Sequence, residues 1–255
     1  MKEIVFFPVT RHDGGMIGAF LNALGILAGA LTGLTQRHPL SLRTQYFFKA
    51  AIGVFAVFFG MHLIWLSVSG TFFNGVKQLF LGSLTMVLGN WIGKLAGLQR
   101  YSNRLGSYAA KLLAAAQKQP PGKAGDGLLA SSILFCAAPL GIIGAVVDGL
   151  SGYFYLLALK AVMDGLAMIS FVKIFRWPAA LAALPVVFFF DGIALATHQY
   201  AYPYLDAHHW TDAVTIVAGF VTCATSLVIF EVRRVELANY LPALFLAPLL
   251  TRWLY

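Results

Sequence analysis

Five polar residues lie inside otherwise apolar sequence: Asn22, Asp148, Lys160, Asp164 and Asp191. A charged side chain at the bilayer centre costs about 2.5–3.5 kcal/mol on insertion scales, so such groups pair, take up a proton or face water. Lys160 precedes Asp164 by four residues, which on a helix puts both on one face and makes an ion pair natural. Each carboxylate is followed by a glycine: Gly149, Gly165 and Gly192. Glycine there permits local unwinding, as in the broken helices of membrane carriers. Pro139 and Pro185 add two more irregular points, where freed carbonyls could coordinate a cation and freed amides an anion. Plainer readings stand beside these. Lys160 and Asp164 also read as a neutral structural pair, and Asp148-Gly149, leading into Ser151-Gly152, as a helix end. Asp191 follows three phenylalanines and is hard to place at a surface.

Other chemistry is weaker. His198, Asp206, His208 and His209 gather after the sixth apolar run, but adjacent histidines chelate poorly and no metal site is expected. The sequence holds no HExxH, GxSxG, P-loop or Cys-His zinc spacing. No catalytic residue, cofactor or enzymatic activity is expected. Cys136 and Cys223 read as small buried hydrophobes.

The elements that position these residues follow from composition. Hydrophobic residues make up 59% of the 255 and charged ones 11%, too few charges to coat a soluble surface. The runs are long and continuous, not the alternating pattern of a barrel, so an all-α polytopic bundle is expected. About eight spans of the ~20 residues that a bilayer requires fall at 14–35, 46–69, 76–98, 127–147, 153–174, 177–197, 213–231 and 237–253. The formal charge of +8 sits between spans and marks topology, which argues against nucleic acid as a partner. Arg37, Arg43, Lys49, Lys94, Arg100, Arg104, Lys111, Lys118, Lys123, Lys173, Arg176, Arg233 and Arg234 fall on one side, against Lys2, Arg11, Lys77 and Arg252 on the other. Positive-inside bias then puts both termini outside.

The whole chain, 1–255, reads as one membrane domain: three spans at 14–98, a connection at 99–126 and five spans at 127–253. Within the connection Tyr101, Leu105, Tyr108 and Leu112 share a helical stripe beside Arg100, Arg104 and Lys111, as in an interfacial helix. Three spans followed by three that begin on the opposite side also allow a 3+3 inverted repeat. Gly18, Gly25, Gly29 and Gly33 in the first span, and Gly89 and Gly93 in the third, give small faces for close helix packing. A homo-oligomer is expected from those faces and the modest size.

Several stretches together resemble a known group: Gly18–Asn22, the run Leu134–Gly144 ending in Asp148-Gly149-Leu150-Ser151-Gly152, Leu159–Gly165, and Val235–Leu244. They are similar to the YqgA/YdfK family of bacterial membrane proteins, also called domain of unknown function 554. The resemblance covers nearly the whole chain. It implies a cytoplasmic-membrane protein with a candidate transport role and a link to biofilm phenotypes, and supplies no substrate.

The expectation is therefore a small secondary transporter or channel-like carrier for a small solute or ion in the bacterial inner membrane. Asn22, Asp148, Lys160, Asp164 and Asp191 would line its path. The alternative is a structural or regulatory membrane protein whose polar residues hold the bundle together. An intramembrane enzyme is the third and weakest reading.

Overall fold

The computed structural model describes residues 17–36, 40–118 and 124–254. Lys2, Arg11, Arg37, Lys123, Pro120, Pro121 and the start of the first expected span at 14–16 lie outside them. Among the described residues there are helices and no strands. Backbone groups in lipid must be satisfied within their own segment, and runs this apolar leave the helix as the available form.

The first three helices are α1 (Ile17–Thr35), α2 (Leu42–Ser67) and α3 (Phe72–Ala96). The Ser41 side chain caps α2 by accepting from the Thr44 amide at 3.1 Å. Gly97, at a φ of 67°, ends α3 and turns the chain straight into α4 (Leu98–Lys118). Then come α5 (Ala124–Cys136) and α6 (Pro139–Ser151), α7 (Tyr155–Phe175) and α8 (Ala183–Ala196), the last led in by a 3-10 stretch at Trp177–Ala182. A π turn at Thr197–Ala201 runs on into α9 (Tyr202–Ala207). Finally α10 (Thr211–Ile229) is followed by a 3-10 turn, Leu237–Tyr240, and α11 (Leu241–Leu254).

Among the described residues six helical segments are long and apolar enough to span a bilayer, and α5 with α6 makes a seventh if its halves are one crossing. The 127–147 run is thus not a straight helix. The halves bend by 62° because Pro139 offers no amide and disfavours helical backbone at Ala138. The last expected span, 237–253, is a 3-10 turn plus the 14-residue α11, with Pro248 inside it.

Each N-terminal helix packs most extensively on one late helix: α1 on α7, α2 on α10 and α3 on α11. A Cβ at Gly25 or Gly29 would strike the Ala161 or Gly165 carbonyl, one at Gly33 would meet Val172 and Ile169, and one at Gly165 would meet the Gly25 carbonyl. Gly60 and Gly219 interlock α2 with α10, and Gly89 and Gly93 set α3 against Ala243 and Asn239. Small residues let backbones approach this closely, and packing is what holds helices together in lipid. The glycine faces are thus filled within one chain, so a homo-oligomer would have to use another surface. The outside is apolar instead, with Phe72 and Phe73 81% and 83% exposed.

One end of the bundle is basic. Lys49 at the start of α2 pairs with Glu231 after α10 at 2.5 Å, and Gln99 at the start of α4 bonds the 3-10 turn before α11. A Cβ at Gly127 in α5 would meet Phe175 at the end of α7. On α4, Tyr101, Leu105 and Tyr108 are exposed, with Arg104 over the Tyr101 ring at 5.7 Å. Leu112, Leu113 and Ala116 pack into the core.

Candidate functional site

Helix α7 carries Lys160 and Asp164 on the face turned inward, where they form a buried ion pair. Lys160 is 1% exposed. Its ammonium lies 5.8 Å from the Phe135 ring centroid in α5 and 5.4 Å from that of Phe190 in α8. Both distances are within cation–π range. A Cβ at Gly141 would collide with the Lys160 stem and the Phe190 ring, so this glycine makes room for the cation. Phe135 and Cys136 end α5, and Gly141 lies in the first turn of α6. The pair therefore sits against the break between the half-helices.

Asn22 of α1 is fully buried, and neither atom of its amide makes a hydrogen bond among the described residues. The amide is close enough to Asp164 to interact with it, but the geometry does not close a hydrogen bond. An orphaned amide is expensive in an apolar interior, so Asn22 is hard to explain by packing alone.

One turn earlier on α1, about 6 Å along its axis, the Gly18 amide donates to the Asp148 carboxylate at 3.2 Å. Asp148 is in the last turn of α6, the helix end that its neighbours suggested. It is buried all the same, 2% exposed, and its backbone carbonyl accepts from the capping Gly152 at 2.8 Å. Gly18 is the second described residue of α1, and this bond ties that helix to α6. Asp191 of α8 is within Coulombic reach of Asp148, and its buried Oδ1 has no hydrogen bond among the described residues. A Cβ at Gly149 would meet the Ala194 carbonyl, which is how α6 and α8 cross so closely here.

The five residues thus form a strip along α1 at two levels, not one cluster: Asn22, Lys160 and Asp164 at one, and Asp148 with Asp191 at the other. Ser131, fully buried with an unpaired hydroxyl, and the His62–Tyr153 contact of 3.1 Å were not singled out by sequence. Their signal was too slight, a lone serine and two ordinary aromatic side chains. Nor do the late histidines converge. His198 meets the Gly149 carbonyl at 3.2 Å, while His208 stacks on Trp210.

Three cavities, of about 390, 360 and 600 Å³, are lined by other residues. The first opens at the end opposite the basic one, between α3, α10 and α11, by Gln78, Thr85, His208, His209 and Thr251. The second lies at the basic end, between α3, α10 and the 3-10 turn before α11. The third is a groove by Lys49, Met163 and Lys173.

Residues 17–252 match the model of the family described as "Protein of unknown function (DUF554)". The chain belongs to this family. It is similar to the "Uncharacterized membrane protein YdfK" of Bacillus subtilis (strain 168), at 25% identity over 91% of this chain and 94% of that protein. It is also similar to the "Uncharacterized protein YqgA" of Escherichia coli (strain K12), at 28% identity over 93% of this chain and 97% of that one. No solved structure matches. The protein is a polytopic helical membrane protein, as the description of the Bacillus subtilis relative and its own apolar helices agree.

Proposed function

We propose that this protein is a small secondary carrier of the bacterial cytoplasmic membrane, with its basic end in the cytoplasm and both termini outside. Asn22, Lys160 and Asp164 would form its coupling centre, and Asp148 and Asp191 the next polar step along α1. The single observation that carries this is the Asn22 amide, fully buried and unpaired beside a charged pair at a broken helix. A scaffold would satisfy or omit such a group. A carrier keeps donors and acceptors free for an ion or solute, and uses half-helix ends to meet it. Neutralising Asp164 by a proton or cation would cancel its hold on Lys160 and loosen α7 from the α5–α6 break. The same reading makes the protein a transporter, not an enzyme, of a small solute or ion. If it assembles as a homo-oligomer, the contact uses an outer face other than the glycine seams, which cross-linking in native membranes would reveal.

The scaffold reading is favoured by one observation, the mutual pairing of Lys160 and Asp164. Proton and cation flux in liposomes separates the two. Asn22→Leu removes the orphaned amide and should leave thermal stability intact while abolishing flux. If Asn22→Leu and Asp164→Asn both carry the parent's flux unchanged, the carrier mechanism is wrong.

A further inference from the structure

The cavity of about 360 Å³ at the basic end has no part in the strip along α1. It lies between the ends of α3 and α10 and the 3-10 turn before α11, and its polar lining is Asn90, Lys94, Arg233, Arg234, Glu236 and Tyr240. Its shape is set by backbone. Glu231, at a φ of 58°, ends α10 in the left-handed region, and the Val232 and Arg233 amides donate back to Leu227 at 3.0 and 3.3 Å. That reversal folds Arg233 and Arg234 under the helix end. The far wall is fixed by Gln99, whose amide donates to Asn239 Oδ1 at 3.0 Å and whose Oε1 accepts from Ala238 at 3.1 Å.

Of the segment's two carboxylates, one is paired outside the cavity and the other, Glu236, lines it. Glu231 holds Lys49, and Glu236 accepts from Asn239 Nδ2 at 2.7 Å. Lys94, Arg233 and Arg234 are left without an ion-pair partner among the described residues. These three cations outnumber the single carboxylate, Glu236, that shares the concavity, and an anion between them offsets the excess positive charge. Two adjacent guanidinium forks suit a tetrahedral oxyanion, and Asn90 and Tyr240 add neutral donors. The volume is at the lower end of ligand pockets, roughly 300–1,000 Å³. Basic residues also serve helix C-termini and topology, but neither use requires them to enclose a cavity.

We propose that this cavity binds a phosphate-class oxyanion, supplied as the phosphodiester of an anionic lipid headgroup or as a free soluble anion. The full chain is reconstituted in phosphatidylcholine nanodiscs and titrated with inorganic phosphate against chloride at matched ionic strength. Parallel discs carry graded phosphatidylglycerol. Thermal melting is the readout. A saturable rise with phosphate alone assigns a soluble ligand, with phosphatidylglycerol alone a lipid, and with both a site for the shared group. In each case Arg233→Gln with Arg234→Gln should weaken the response about tenfold or more. Arg233→Lys with Arg234→Lys keeps charge, loses the forks and should fall between. Arg233 and Arg234 are both exposed, so the fold should tolerate these changes. Arg100→Gln with Arg104→Gln on α4 should leave the response unchanged. The proposal is overturned if neither probe gives a saturable response, if the glutamine pair responds like the parent, or if the α4 control loses as much. None of these readouts involves flux, so this site and the carrier mechanism stand or fall separately.

Discussion

Replacing Asp164 by asparagine strips Lys160 of its counter-charge while leaving size and shape almost unchanged. Removing one partner of a buried pair costs about 3–5 kcal/mol, because the remaining charge stays behind in a medium that cannot solvate it. The two aromatic faces at 5.4 and 5.8 Å from the ammonium are present before and after the change, so they leave this difference as it stands. The loss is then about 3–5 kcal/mol, on the order of 10 °C in melting temperature for a chain of this size. Removing both charges with apolar residues of similar volume, Lys160→Met with Asp164→Leu, should restore melting to near the parent, since a buried pair and a packed apolar pair are often equivalent in stability. Melting in one detergent, by tryptophan fluorescence and by loss of monodisperse protein, reads both effects. The reasoning is refuted if the single variant melts with the parent, or if the double variant melts as low as the single.

Three further outcomes follow from the packing and the caps. Gly29→Val drives a side chain into the Gly165 backbone and should separate α1 from α7 at a cost of about 3 kcal/mol or more, seen as loss of folded protein; normal yield and melting would contradict the seam. Asn239→Ala removes acceptor and donor from the latch with Gln99 and Glu236, at about 2 kcal/mol, and should raise hydrogen exchange at residues 235–240 while sparing α1 and α7. The Lys49 hydrogen bond and charge hold the Glu231 carboxyl below its usual range. The stability this lends is present above ordinary carboxylate pKa values and lost as pH falls through the depressed one. The melting difference between the parent and Glu231→Gln should therefore be small at neutral pH and vanish in acid; a difference independent of pH would count against the pair.

The sequence carried the spans because hydropathy is summed over twenty residues and survives local irregularity. It carried the Lys160–Asp164 pair because four residues on one helix fix a geometry without any knowledge of the fold. Pro139 signalled a break in the fourth run but not its angle, which depends on how α6 leans on α8. What stayed hidden lies between distant segments. Asp148 reads as a turn residue from its neighbours, yet its partner is the Gly18 amide at the other end of the chain. Gln99 and Asn239 are unremarkable polar residues until the fold joins them. Gly53, Gly60 and Gly219 lack the every-fourth spacing of α1, so only the contact itself reveals them. The cavity at the basic end arises from a positive φ at a glutamate, which no hydropathy pattern foretells.

The three glycine seams also set an order of events during synthesis. Gly29 has no partner until Gly165 has been made, and Gly89 has none until Ala243 emerges near the far end of the chain. The first three helices must therefore enter the membrane and persist there as separate lipid-solvated rods, which their internally bonded backbones allow. While they wait, no tertiary contact can correct a helix inserted upside down. During that interval their direction rests on the charges at helix ends, the positive-inside signal, and not on packing. The crowding of Arg43, Lys94, Arg100 and Arg104 around the early helix ends is then a requirement of assembly, and reversing those charges would be expected to damage newly made chains far more than finished ones.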